Sequence, residues 1–267
     1  MYKLIQEDLK TLGYYTGRID GSFGPMSRAA VKTFKRMNGL TVDGSTGANT
    51  QAKLLEVVYG ITNLWIDKQT MIITVPRCKL DVITNTRETV SRTYSKMSHK
   101  ALILMNGGLF SGSNNMAETV DNGVIDSGVM SKYVMTSTGV TGMYWAIAAN
   151  QVPDEAIGAG PLLMLDNKIK IDATGFDRAL MNSYHPRLAL GYDKDNMYVI
   201  VVHGRRPWRG HIGCTIPQLA NVCYSIGCED AIALDGGDSV YVVNRYGRLM
   251  NQPRKTREVN HCVALRG

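Results

Sequence analysis

The sequence predicts an α+β architecture: a small three-helix domain over residues 1–59, followed by a larger mixed, mostly antiparallel β-rich α+β domain over residues 60–267. Three observations carry this. The first sixty residues show apolar stripes at helical spacing, separated by glycine turns. From about Gly60 the texture changes to short, alternating, β-branched segments. A single clear helical pattern interrupts those segments, which argues against a doubly wound sheet.

In the first domain, "DGSFGPMSRAAV" from Asp20 and "DGSTGANTQAKL" from Asp43 echo each other. Asp-Gly suits a tight turn, because glycine tolerates positive φ and the aspartate side chain bonds the local backbone. Ser27 and Thr50 then fall where a helix N-cap or first turn belongs. Ala30, Val31, Phe34 and Met37 form a stripe that Asn38-Gly39 stops, and Leu4, Ile5, Leu9 and Leu12 form another, ended by Gly13. These apolar residues are expected in a core.

The larger domain reads as strands in "NLWIDKQTMIITV", "KLDVIT", "ALILM", "MYWAIAA", "PLLMLDNKIKI", "RLALGY", "MYVIVV", "AIAL", "VYVV" and "HCVAL". Two hairpins are expected, with turns at Asp166-Asn167 and Asp193–Asn196. The helix opens on Thr215, with Gln218 completing a capping box; Leu219, Val222, Cys223 and Ile226 give its apolar face, and Gly227 ends it.

With 44% hydrophobic residues, the 267-residue chain can fill a substantial core. The net charge of +7 favours anionic partners. Residues 1–60 hold 8 basic and 5 acidic side chains, so the excess is spread over both domains, unlike a dedicated nucleic-acid face. No apolar run is long enough for a membrane span, and the opening MYKLIQEDLK lacks the apolar core of a secretion signal. Export is therefore expected by another route, such as release by lysis, or after processing. Cys78, Cys214, Cys223, Cys228 and Cys262 form no CxxC pair and are expected as buried small hydrophobes, with one bridge left open. The nucleotide-binding GxxxxGK[ST], the metal-binding HExxH and the serine-nucleophile GxSxG patterns are all missing, and no cofactor is expected.

The chemistry is expected where strands stop. "ALILM" runs into Asn106-Gly107-Gly108, "MYVIVV" into His203-Gly204-Arg205, and "AIAL" into Asp235-Gly236-Gly237, while His185-Pro186-Arg187 precedes "LALGY". Loops at strand ends let a rigid scaffold present polar groups, so the four are expected to converge on one pocket. Glycine lets backbone approach a ligand closely, and Asp235 follows directly on an apolar strand. Arg187 and Arg205 supply planar guanidinium groups suited to phosphate. "GRRPWRGH", residues 204–211, adds two more arginines and a tryptophan.

"LIQEDLKTLGYYTGRIDGSFGPMSRAAVKTFKRMNGLTVDGSTGANTQAKL" resembles the three-helix peptidoglycan-binding domain over about residues 3–56. That resemblance implies an anchoring module, with Tyr14, Tyr15 and Arg18 as candidate wall-binding residues. "MNGGLF", "HPRLALGY", the run from Val201 to Pro253 and the closing "REVNHCVAL" are similar, in order and spacing, to the phosphodiester glycosidase family, with little recognisable between 111 and 142. The family implies hydrolysis of a sugar joined through its anomeric carbon to a phosphodiester. It commonly has aspartate at His203, and glycine at Asp238 followed by two serines where Ser239 and Val240 stand.

Arg187, with His185 and Arg205, is expected to hold the phosphate, and Asp235 to face the sugar, either as base for the attacking water or as support for positive charge at the anomeric carbon. Asn106 and the amides of Gly107 and Gly108 are expected to fix sugar hydroxyls. His203, Gly236, Gly237, Asp238 and Ser239 complete the expected substrate contacts. Together the resemblances imply a wall-associated extracellular hydrolase whose partners are peptidoglycan and an anionic glycopolymer such as a teichoic acid, in a bacterial or phage setting. The rival expectations are a metal-dependent phosphodiesterase drawing ligands from His185, His203, His211 and the nearby aspartates, and a wall-binding protein without activity.

Overall fold

In the computed structural model, the structure describes residues 1–76, 78–84, 86–97, 100–111, 114–117, 119–126, 132–142, 152–251, 253 and 255–267. The expected strand "MYWAIAA" lies outside them. Helices α1 (Tyr2–Thr11), α2 (Pro25–Met37) and α3 (Ala48–Tyr59) form the N-terminal unit, with Ile5, Leu9, Val31, Phe34, Leu54 and Leu55 turned inward. Gly60 ends α3 in the left-handed region at φ 70°.

The two Asp-Gly-Ser repeats are built alike. Asp20 Oδ1 accepts the Ser22 amide at 2.8 Å and Asp43 Oδ1 the Ser45 amide at 2.8 Å. Ser27 and Thr50 are each the third residue of their helix. A buried side chain reaches each aspartate: Gln6 Nε2 donates to Asp20, and Lys35 Nζ pairs with Asp43.

After α3 come β1 (Thr62–Trp65), β2 (Thr70–Pro76), β3 (Lys79–Ile83), α4 (Val90–Lys96) and β4 (Ile103–Asn106). Short pieces follow: β5 (Phe110–Ser111), β6 (Asn114–Asn115), β7 (Thr119–Asp121), β8 (Val124–Asp126), β9 (Tyr133–Thr136), β10 (Gly139–Gly142) and β11 (Ile157–Gly158). The chain continues through β12 (Leu162–Leu165), β13 (Lys168–Asp172), α5 (Arg178–Asn182), β14 (Arg187–Tyr192) and β15 (Asn196–Val202). It closes with α6 (Ile216–Ser225), β16 (Asp230–Ala233), β17 (Val242–Asn244) and β18 (Cys262–Arg266).

Among the described residues, the strands form a seven-stranded sheet ordered β1-β2-β15-β14-β16-β12-β13 and a four-stranded sheet ordered β17-β4-β18-β3, both antiparallel throughout. Alternate residues of a strand go to opposite faces. Ile73, Val199, Val201, Leu188, Leu190 and Ile232 therefore join Leu80, Ile103, Met105 and Val263 between the sheets. Ile72, Ile200, Ala189 and Ala231 face α6, and Leu104, Cys262 and Ala264 face α4. The result is helix, sheet, sheet, helix.

Both expected hairpins form, and Asp166 and Asn167 take φ of 51° and 62°. The Thr215–Gln218 capping box is present in full. Besides α6, the larger domain holds α4 and α5, which the sequence reading missed. At 7 and 5 residues they are too short to repeat an apolar stripe, and their capping residues Thr89 and Asp177 are what mark them. All five cysteines are buried free thiols.

Candidate active site

Antiparallel pairing brings the expected strand ends to one edge. Arg187 opens β14 opposite Val202 at the end of β15, and Ala189 pairs with Ala233 at the end of β16. From the second sheet, the Asn106 side chain donates to the Asp235 carbonyl at 2.9 Å and accepts the Tyr241 amide at 3.0 Å. The Asp235 amide donates to the Gly107 carbonyl at 3.0 Å. The two sheets are thus clamped together directly beneath Asp235.

A cavity of ≈ 240 Å³ opens at this edge. His185, Arg187, Arg205, Asp235, Asp238 and Arg257 supply its charged and titratable lining, with Leu109, Phe176, Leu180 and Met181 as an apolar wall. Asp235 is only 8% exposed. Burial pushes its carboxyl up to about 6, against the opposing pull of the Ser239 hydroxyl, the Arg257 charge and the Gly236 amide. A carboxyl with that value is a stronger base than an ordinary aspartate and is still mostly ionised at neutral pH.

The two glycines after Asp235 are required by the backbone. A Cβ on Gly236 would meet the Pro186 carbonyl at 2.8 Å, while Gly237 takes φ 63° and donates its amide to the same carbonyl at 2.9 Å. This locks the Asp235 loop onto the His185-Pro186-Arg187 loop.

The arginines divide their work. Arg187 donates Nε to the Cys214 carbonyl at 3.1 Å and Nη2 to the Leu180 and Ser183 carbonyls. Three carbonyl contacts make it a brace between the α5 segment and Cys214, and it also lines the cavity. Burial, countered by the Cys214 sulfur and reinforced by Arg205, lowers its pKa. Arg205 Nη1 lies 2.9 Å from Asp238 Oδ1, a contact made by charge rather than by hydrogen-bond alignment, and its Nη2 lies 3.4 Å from His185 Nδ1. Burial, then the Arg187 and Arg205 charges, lower the His185 pKa, so this imidazole is neutral at pH 7.

Arg257 went unnamed in the sequence reading. It donates Nη1 to Ser239 Oγ at 3.2 Å and lies 4.7 Å over the Phe110 ring, so it reaches Asp235 through the hydroxyl that holds that carboxylate. Its signal was present in "REVNHCVAL", but no strand end or turn singled it out.

Other expected contacts lie elsewhere. Asn106 is fully buried and spends its amide on the clamp, so it positions the Asp235 backbone instead of facing the cavity. Gly107 donates its amide to the His261 carbonyl at 3.1 Å, and a Cβ on Gly108 would stand 2.2 Å from the Gly158 carbonyl oxygen; both are packing glycines that do not line the cavity. Ser239 is buried behind Asp235.

His203 departs most from expectation. Its amide donates to the Gln69 carbonyl at 2.7 Å, extending the β15–β2 ladder by one residue and setting the imidazole against Trp65 and His211, each 5.2 Å away between ring centres. It does not line the cavity. The ligand set of the rival metal-dependent reading is not assembled: His203 stands apart from His185, and among the described residues no group of three or more His, Cys, Asp or Glu could hold a metal ion.

In the N-terminal unit, Tyr15 is buried and donates its hydroxyl to the Arg18 carbonyl at 2.9 Å, and Tyr14 packs edge-on against Phe34. Arg18 is exposed. The polar hollow of this unit lies instead around the second repeat, ≈ 550 Å³ lined by Lys35, Thr41, Asp43, Ser45, Asn49 and Thr50 among others.

Residues 2–54 match the peptidoglycan binding domain. The spore cortex-lytic enzyme of Bacillus cereus is 42% identical over 52 residues, covering 20% of this chain and 20% of that protein. N-acetylmuramoyl-L-alanine amidase CwlL of Bacillus licheniformis is 45% identical over 56 residues, covering 19% of this chain and 16% of that protein. The chain thus spans about one fifth or less of the length of these curated relatives.

Among solved structures, the catalytic domain of zebrafish N-acetylglucosamine-1-phosphodiester alpha-N-acetylglucosaminidase superposes with a TM-score of 0.59 at 19% identity, over 78% of this chain and 81% of that one. A hypothetical protein from Synechocystis gives 0.57 at 14% identity, over 77% and 61%. These likenesses establish the fold. Residues 81–266 match the phosphodiester glycosidase family. Because that match takes in more than two thirds of the chain, including the loops that line the cavity, the chain belongs to the phosphodiester glycosidase family of hydrolases.

Proposed function

We propose that the protein hydrolyses sugar-1-phosphodiester linkages in an anionic bacterial wall polymer, releasing sugar and leaving phosphate on the polymer. The observation that carries this is a buried carboxylate of raised pKa sharing one small cavity with three arginines.

The chemistry follows from the leaving group. An ordinary glycoside departs as an alkoxide whose conjugate acid is close to water, at ~15.7, and so needs a proton donor. A phosphate monoester has its last pKa near ~6 and can leave as an anion if cations receive it. Arg257, Arg205 and Arg187 supply that charge, with His185 as a neutral hydrogen-bonding partner. Asp235 then takes a proton from the attacking water or faces the positive charge growing at the anomeric carbon. The apolar wall of Leu109, Phe176 and Leu180 suits the C–H face of a sugar ring.

The N-terminal domain, which we bound at residues 1–59, anchors the enzyme to peptidoglycan outside the cell. Its polar hollow at the second repeat is the better place for wall material than Tyr14 and Tyr15. Such a pairing points to a wall-linked glycopolymer of the teichoic acid type, reached by a processed secreted enzyme or a phage protein freed by lysis. Phosphorus and proton NMR of isolated wall polymers incubated with the protein tests the reading. Phosphodiester signals should convert to phosphomonoester as free sugar appears; a polymer spectrum unchanged by enzyme, across several phosphate-linked polymers, would reject it.

A further inference from the structure

The carboxylate beside Arg205 has no part in the chemistry proposed above. Asp238 lines the cavity, and its Oδ1 lies 2.9 Å from Arg205 Nη1. That oxygen is buried and, among the described residues, accepts no hydrogen bond, so charge alone holds it to the guanidinium. The backbone is shaped for this meeting. Arg205 holds φ 58°, in the left-handed region that residues with a Cβ disfavour. Gly237 leaves room for the guanidinium, since a Cβ there would stand 3.3 Å from Arg205 Nη2. The two side chains remain 34% and 26% exposed, so an incoming ligand meets the pair and not a bare arginine.

The pairing sets the charge of the cavity. Arg187, Arg205 and Arg257 stand against two carboxylates, Asp235 and Asp238, and His185 is neutral at pH 7, so the lining carries a net charge of +1. Without Asp238 it would carry +2. A phosphate that joins two groups is a monoanion, whereas a phosphate monoester, with its last pKa near ~6, is chiefly a dianion at neutral pH. The first matches the lining and the second overfills it. Attraction grows in proportion to the charge of the ligand but the cost of desolvation grows with its square, so the excess charge of a dianion is a cost that the monoanion does not incur.

We propose that Asp238 is a specificity residue: it holds the cavity to a single net positive charge, so that a glycosyl phosphate is accepted as a diester and turned away as a monoester. The inference rests on the function proposed above and narrows its substrate class. Sugars joined through phosphate to a further group are cut, a free sugar-1-phosphate is not, and the monoester left on the polymer by cleavage is expelled instead of inhibiting.

The test compares the full-length protein with its Asp238→Asn variant, which removes the charge and keeps the shape. At pH 8, calorimetric titration with dimethyl phosphate and methyl phosphate presents the two ligand charges at nearly equal size. The wild type should bind methyl phosphate no better than dimethyl phosphate. Asp238→Asn should bind methyl phosphate about tenfold and dimethyl phosphate about threefold tighter than the wild type, because the repulsion removed scales with ligand charge. Kinetics should move alike: the ratio of kcat/KM for a methyl sugar-1-phosphodiester over the matching sugar-1-phosphate should fall about threefold in the variant.

A wild type that prefers methyl phosphate tenfold overturns the assignment without any variant. So does an equal change for both ligands in Asp238→Asn, which would mean that Asp238 only shapes the Arg205 loop. So does a loss of diester kcat with binding of both ligands unchanged, which would place Asp238 in the catalytic step. If the wild type cleaves no phosphodiester, the proposed function has failed on its own account, and the binding comparison, which needs no turnover, still decides the role of Asp238.

Discussion

Asp235 is where stability and chemistry pull against each other. Burial raises its folded pKa to about 6, above the ordinary carboxyl value of 3.8, so the folded state prefers the neutral form. Stability from this preference is complete below pH 3.8 and is lost as pH rises through about 6. Replacing Asp235 with Asn should therefore raise Tm at pH 7, with the gain vanishing near pH 4, as calorimetry at the two pH values would show. The same variant should lose about 10³-fold in kcat. In the wild type, kcat/KM should fall about tenfold per pH unit below about 6, because the base must be ionised to act. Arg257→Ala should cost about 10²-fold in kcat with Tm nearly unchanged. Arg187→Ala should lower both activity and Tm, since three carbonyls of neighbouring loops lose their donor.

At the scale of elements, the site depends on strand ends that hydrogen bonds keep in register. Asn106→Ala would leave the Asp235 carbonyl and the Tyr241 amide buried without partners, a cost of about 1–3 kcal/mol for each group. Chemical denaturation should register that loss, and activity should fall with it because the clamp sets the height of Asp235. The β15–β2 ladder gives a second expectation. Burial, with the nearby His211 and Arg206, lowers the His203 pKa to about 4, so its contribution to stability is whole above pH 6.5 and is lost as pH falls from 6.5 towards 4. Tm should drop over that range, and Trp65, packed against this imidazole, offers a fluorescence probe of the loss; His203→Phe should flatten the drop.

Local signals made some of this legible beforehand. Turn residues such as Asp166-Asn167, the Thr215–Gln218 cap and the alternation in "MYVIVV" act within a few residues, so they can be read from the chain, as can the gathering of Arg187, Arg205 and Asp235 at strand ends. The direction of His203 could not be read this way, because one extra ladder bond to Gln69 decides it. Nor could the role of Arg257, which meets Asp235 only after β18 has paired with β4 and β3.

Over the whole molecule, the two domains share one core. A single buried cluster runs from Ile5, Leu9 and Phe34 through Leu80 and Val263 to Tyr246. Asp8 of α1 stands at the junction, 1% exposed, accepting from Tyr59 at 2.6 Å and Tyr246 at 2.7 Å, and paired with Arg245 at 3.2 Å. Burial, with the Asp8 charge, raises the pKa of both phenols, so they remain donors. The peptidoglycan-binding domain is therefore fixed in orientation to the cavity, which under the proposed function would set the distance between wall attachment and cleavage. The wild type should unfold in one calorimetric transition. Asp8→Ala, which takes the acceptor from the Tyr59 and Tyr246 hydroxyls and leaves Arg245 to Glu7, should lower Tm and separate the transition into two.

The central claim is that the bond broken joins the anomeric carbon to oxygen, with phosphate departing as the anion received by the arginines. Hydrolysis in heavy-oxygen water, read by mass spectrometry of both products, tests it most directly. The label should appear at the anomeric position of the released sugar and not in the phosphate; label in the phosphate would place the attack at phosphorus and contradict the account.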